Sequence, residues 1–173
     1  GGVRMIAYVT PTLADADALD AMARETWLRT FGHGHTPDDL DAYLAQAYGP
    51  TGQLRAHLAD PAIRWQIARA DGGIIGYAKL IPPWLDQAGP GDIQLGQLYV
   101  AHDHHGRGVA QALMDWAIAT ARAHNAPALL LAVFEENHRA LAFYVKYGFV
   151  EIGDCEYPVG RKIDRDLILR LEL

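Results

Sequence analysis

IQLGQLYVAHDHHGRGVAQALMDWAIATA, residues 93–121, decides the fold. Ile93 to Val100 has the length and apolar character of a strand, and a glycine-rich turn follows it. From about Gly108 to His124 the period lengthens, and Val109, Leu113, Met114, Ala117 and Ala121 fall along one side of a helix. Leu129 to Val133 is then a continuous apolar run of strand length, so the stretch belongs to a strand-helix-strand unit.

Working outward, Asp71-Gly72-Gly73 sits between Trp65, Ile67 and Ala68 on one side and Ile74, Ile75, Tyr77 and Leu80 on the other, which predicts a β-hairpin. Pro82 to Gly91 reads as a loop. Ahead of the hairpin, Ile6 to Val9 is a short apolar run. Thr12 caps a helix reaching about Phe31, with Asp15 in its first turn. Thr36-Pro37-Asp38-Asp39 starts a second helix, with Leu40, Tyr43, Leu44 and Ala47 on one face. A third, short helix runs from Thr51 to about Leu58, before Asp60-Pro61. Past the central unit, Asn137 caps a helix that Gly148 stops, and strands over Phe149–Tyr157 and Ile163–Leu173 close the chain. The order predicts an α/β chain (α+β mixed sheet) covered by helices. No linker or repeat divides it, so residues 1–173 read as one domain, with residues 1–4 an expression remnant and disordered start.

Composition removes several function classes. A chain of 173 residues buries enough surface to need no metal or disulfide staple, and the lone Cys155 reads as a small strand residue. There is no serine, which removes Ser-His-Asp hydrolysis, and no G-x-x-x-x-G-K-[ST]. A net charge of −6 with scattered Lys and Arg argues against nucleic acid, and the absence of a long apolar run argues against a membrane span. With no apolar leader after Gly1-Gly2, a cytoplasmic location is expected. His102, His104 and His105, like His33 and His35, lack a fixed tetrahedral spacing and any cysteine or H-E-x-x-H, so no metal is expected.

Two segments carry chemistry. In His105-Gly106-Arg107-Gly108-Val109-Ala110 the glycines let the backbone aim several N–H groups at one point, where the positive end of the following helix adds to them. That predicts a pyrophosphate site. The second segment is Asn137-His138-Arg139-Ala140-Leu141-Ala142-Phe143-Tyr144-Val145-Lys146-Tyr147-Gly148-Phe149. Together the two resemble the GNAT N-acetyltransferases, whose coenzyme loop reads [Q/R]-x-x-G-x-[G/A] and whose later helix reads N-x-x-A-x-x-F-Y-x-x-x-G-F. The helix pattern is matched at every fixed position. In the loop Gly108 and Ala110 match, while His105 stands where glutamine or arginine is usual.

The resemblance implies a GNAT-like fold, a mostly antiparallel twisted sheet with a parallel splayed pair, flanked by helices. It implies acetyl-CoA as cosubstrate and direct attack by a primary amine in a ternary complex. Leu98, Tyr99 and Val100 would hold the acetyl carbonyl and pantetheine arm by backbone, with the amide at Leu98 as oxyanion donor. His105 to Ala110 would hold the pyrophosphate, Asn137 would contact the coenzyme, and Tyr144 would protonate the leaving thiolate. The attacking amine must lose a proton, and at pH 7 only about one part in 2,500 of an alkylammonium is neutral, a cost near 4.6 kcal/mol. Many relatives use a strand glutamate for this, where this chain has Gln94; Asp92, Glu25 or a water chain ended by His102 are the alternatives.

Glu25-Thr26-Trp27-Leu28-Arg29-Thr30-Phe31-Gly32-His33, followed by Asp38-Asp39-Leu40-Asp41-Ala42-Tyr43-Leu44, resembles the first helices of PaiA-type spermidine/spermine acetyltransferases. That implies a polyamine or other small-molecule amine, with Glu25, Asp38, Asp39 and Asp41 as neutralising carboxylates and Trp27, Phe31, Tyr43 and Trp84 as an apolar wall. A peptide or protein N-terminus and an antibiotic amine are the alternative acceptors. A non-catalytic acyl-CoA-binding sensor is the alternative of another class. A homodimer is compatible with the resemblance.

Overall fold

The computed structural model describes residues 5–173, so the reading of residues 1–4 lies outside the described residues. Seven strands form one sheet in the order β1-β2-β3-β4-β5-β7-β6. The strands are β1 (Ala7–Val9), β2 (Arg64–Ala70), β3 (Gly73–Ile81), β4 (Ile93–Val100), β5 (Ala128–Phe134), β6 (Val150–Val159) and β7 (Lys162–Glu172). All neighbours are antiparallel except β4 and β5, which run parallel. The helices are α1 (Ala16–Phe31), α2 (Pro37–Ala47), α3 (Gln53–Ala59), α4 (Val109–Ala123) and α5 (His138–Tyr147).

Alternation along β3 divides the core. Ala78 and Leu80 face the layer containing α4 and α5, whereas Tyr77 faces the layer containing α1, α2 and α3. The five α4 positions picked out by helical spacing, Val109, Leu113, Met114, Ala117 and Ala121, are all buried. Each fully buried Leu or Met side chain contributes about 2–3 kcal/mol. Gly148 ends α5 at φ 98°, and the Phe149 amide reaches back to the Tyr144 carbonyl at 3.2 Å.

The site follows from two irregularities in the sheet. β4 and β5 pair only at Ile93 with Leu129 and Gln94 with Leu130, after which they separate. Just past this point β4 bulges: Leu95 pairs with Leu80 and Gln97 with Lys79, leaving Gly96 without a partner. A Cβ at Gly96 would stand 3.1 Å from Ile81 Cγ2 and 3.2 Å from Lys79 Cε, so a larger residue here would have to push those two side chains back by a few tenths of an ångström.

Candidate active site

One cavity of about 950 Å³ runs from the loop before α4, through the gap between β4 and β5, to the layer of α1 and α2. Its first end is built of backbone. Gly106 and Gly108 both have φ 80°, and Gly108 is the residue from which α4 starts. The first backbone bond of α4 runs from the Ala112 amide to the Gly108 carbonyl (3.0 Å), and no side chain caps the helix. The amides of its first turn are therefore left without an intrahelical acceptor, at the positive end of a helix of 15 residues. Gly106, Gly108, Val109 and Ala110 line the cavity there. An anionic pyrophosphate suits this donor set.

Two loop residues behave differently from expectation. Arg107 is exposed and does not line the cavity. His105 lines it, but its Nε2 donates to the Val100 carbonyl at 3.0 Å, and its Nδ1 is buried without a partner. Burial first, then the charge of Arg139, works against its imidazolium form, partly opposed by the Val100 bond. In this orientation His105 ties the loop to the end of β4 and offers phosphate no donor.

The gap between the strands supplies further backbone groups. The Ala101 amide donates to Ile75 of β3 (2.8 Å). Along an antiparallel strand such groups alternate in direction, so Leu98 and Val100 turn their N–H and C=O away from β3 and into the gap. The His105 bond to the Val100 carbonyl agrees with this parity. Leu98, Tyr99 and Val100 line one side of the cavity, and Leu131 to Phe134 the other. Asn137 and Tyr144 complete this part. Asn137 Oδ1 accepts from the Ala140 amide (3.3 Å), so it caps α5 while facing the cavity. Tyr144 is 8% exposed, and burial pushes its hydroxyl up to about 12. Against a thiol near 8.5 that gap is about 5 kcal/mol, so proton donation to sulfur must accompany cleavage of the carbon–sulfur bond.

The other end is built of side chains. Trp27 and Tyr43 stack with ring centroids 4.2 Å apart, Phe31 lies 6.0 Å from Phe134, and Trp84 stands at the rim, 55% exposed. All four residues expected as an apolar wall line the cavity. The expected carboxylates do not. Glu25 faces solvent against Arg29, Asp38 and Asp41 are exposed, and Asp39 accepts from the Arg161 amide at 3.0 Å. Glu25, Asp38 and Asp41 fail because α1 and α2 turn their aromatic stripes inward and these acids outward, and Asp39 because it is buried against Arg161.

The proton acceptors considered from sequence do not line the cavity either. Asp92 is buried but bonded to Arg170 (2.7 Å), and neither it, Glu25 nor His102 lines the cavity. Gln94 does line it, and its Oε1 accepts from the Trp84 amide at 3.1 Å. The carboxylates that face the cavity are Glu156 on β6 and Asp164 and Asp166 on β7. Asp164 is 3.2 Å from His35 Nε2 and 3.7 Å from Lys162. Asp166 has no cation against it among the described residues, and burial, then the charge of Asp164, raises its carboxyl to about 6. Their signal was an alternation in Ile163-Asp164-Arg165-Asp166-Leu167-Ile168, which places both acids on the face that buries Ile168. Lys79 and His57, also in the lining, had one signal: a lysine inside the apolar run Tyr77 to Ile81.

The family model for acetyltransferases of the GNAT family matches residues 19–149. Over 161 residues the chain is 32% identical to an uncharacterised N-acetyltransferase of Mycobacterium tuberculosis (strain H37Rv), covering 93% of this chain and 99% of that one. Its fold matches the crystal structure of PaiA N-acetyltransferase from Thermoplasma acidophilum in complex with coenzyme A, with a TM-score of 0.78 at 19% identity, over 98% and 99% of the two chains. A GCN5-related N-acetyltransferase from Rhodopseudomonas palustris gives a TM-score of 0.77 at 20% identity, over 100% and 99%.

Proposed function

The chain belongs to the GNAT family of acetyltransferases, which use acetyl-coenzyme A as cosubstrate, and we propose that it acetylates the primary amine of a small molecule by direct attack in a ternary complex. The observation that carries this reading is one continuous cavity, which joins the uncapped amides of α4 to a lined chamber holding Asp166.

In the proposed reaction the backbone amide at Leu98 donates to the carbonyl oxygen as charge builds on it, a contribution of about 3–4 kcal/mol for one such donor. The amine nitrogen, neutral after giving one proton up, bonds to the acetyl carbon, the carbon–sulfur bond breaks, the sulfur leaves with its electron pair and takes the proton of Tyr144, and the second proton lost from the new amide nitrogen restores that phenol. Asp166 receives the proton that the ammonium gives up, and its raised affinity for a proton suits that role better than an ordinary carboxylate. The likeness of α1 and α2 to the polyamine acetyltransferases, with the acids Glu156, Asp164 and Asp166 facing the chamber, supports a polyamine as one acceptor.

The test is thiol release from acetyl-coenzyme A across spermidine, spermine, short diamines, amino acids, peptide N-termini and aminoglycosides. Turnover above background with a free small amine is expected. Turnover confined to peptide N-termini, or to none, would sink the reading.

A further inference from the structure

Six carboxyl or ammonium side chains are buried among the described residues: Asp20, Asp39, Lys79, Asp92, Asp164 and Asp166. Burying a charge is costly unless a counter-charge goes with it. Four obey this rule: Asp20 pairs with Arg55, Asp39 with Arg161, Asp92 with Arg170, and Asp164 with Lys162 and His35. The two that do not are Lys79 and Asp166, of opposite sign, and both line the same cavity.

Lys79 is 4% exposed, near the end of β3, with its Cε against the close approach of Gly96. Its Nζ donates to His57 Nδ1 at 2.8 Å and lies 5.3 Å from the centre of the Trp65 ring. No carboxylate among the described residues pairs with it. His57 supplies no charge: burial, then Lys79 itself, lowers it to about 4, so it accepts as the neutral ring. Burial lowers Lys79 to about 8, which leaves it mostly cationic at neutral pH.

The two unpaired ions stand on opposite sides of the gap. Lys79 is on β3 and Asp166 on β7, with β4 and β5 between them. Three paired strand spacings of about 4.8 Å would put their backbones roughly 14 Å apart, and the parting of β4 from β5 widens this; the Lys79 ammonium is held by His57, over the Trp65 ring of β2.

We infer that the acceptor is an amino acid-like zwitterion, whose amine faces Asp166 and whose carboxylate is held by Lys79. This rests on the small-amine reading and changes its best substrate from a polycation to an amino-carboxylate. The acceptor then supplies the counter-charge that each buried ion lacks. Lys79 acts as a specificity residue, and His57 positions its ammonium.

The experiment compares kcat/KM for matched acceptors, 4-aminobutanoate, its amide and 1,4-diaminobutane, together with α-amino acids and their amides. In the unaltered protein the best carboxylate is expected to exceed its amide and the diamine by at least about tenfold. In Lys79→Met that ratio falls to within about twofold of one, whereas Lys79→Arg keeps part of it. Without ligand, Lys79→Met should melt about 3–6 °C higher, because a buried unpaired charge has been removed. Preference for the amide or diamine, or an unchanged ratio in Lys79→Met, overturns the inference and leaves the amine reading standing. A lower melting temperature in both Lys79→Met and Lys79→Gln overturns it too, since Lys79 then serves the fold. Failure of every amine, charged or not, overturns the amine reading beneath it.

Discussion

The two ends of the cavity are made of different material. At the coenzyme end the groups that face a ligand are mostly amides, from the first turn of α4 and the stretch Leu98 to Val100. At the acceptor end they are side chains drawn from α1, α2, α3, β3, β6 and β7. An amide offers the same donor whatever residue carries it, so the first end tolerates sequence change except where backbone shape demands glycine. A chamber of side chains changes its ligand with each substitution. Cosubstrate use is thus a property of the fold, and acceptor choice a property of this chain.

Three changes sharpen or break that contrast. The largest effect is expected for Tyr144→Phe, which removes the side-chain acid proposed at the coenzyme end: kcat should fall by about 10²-fold or more. The rise in melting temperature with coenzyme A should persist. If steady-state turnover is unaffected, the sulfur obtains its proton elsewhere. Next, Gly108→Val forces a branched residue to φ 80° at the start of α4, which costs about 1–2 kcal/mol. Calorimetry should show coenzyme A binding roughly tenfold more weakly, with the acceptor KM little changed. An equal loss at both sites would show that the two ends are not separable.

Asp166→Asn probes the other end. Because the folded carboxyl is raised to about 6, kcat/KM for the acceptor should decline as pH falls below about 6, and the variant should lack that decline while running about tenfold slower at pH 8. Stability gives the complementary sign. Between the ordinary carboxylate value of 3.8 and about 6 the folded protein holds more protons than the unfolded chain, so Asp166 makes stability fall as pH rises through that window. Denaturant titrations across pH 4 to 7 should show the slope in the parent and its loss in Asp166→Asn.

The same contrast explains what the sequence disclosed. β4 was legible to the residue, and α4 nearly so, because their periodicity is local and strong. The meeting of the glycine turn, Asn137 and Tyr144 in one cavity was legible with them, since they lie in two contiguous stretches. The acceptor end was half legible. Aromatic residues at helical spacing on α1 and α2 had to point inward, and Trp27, Phe31 and Tyr43 do. The charges were misplaced because Glu25, Asp38, Asp39 and Asp41 are near those aromatics in the chain, while Asp164, Asp166 and Lys79 reach the cavity only through sheet order. His105 was misread for a smaller reason, the parity of one carbonyl at Val100, which no pattern of residue types records.

The early parting of β4 and β5 has a consequence outside catalysis. A sheet that opens in its middle has, besides its outer borders, two inward-facing margins whose hydrogen-bonding groups lack a neighbouring strand. Such margins invite another extended chain to add itself. Here Tyr99 of β4 packs with the cluster that holds Trp27 of α1 and Tyr43 of α2, so the helices that shape the acceptor chamber also cover part of the β4 margin.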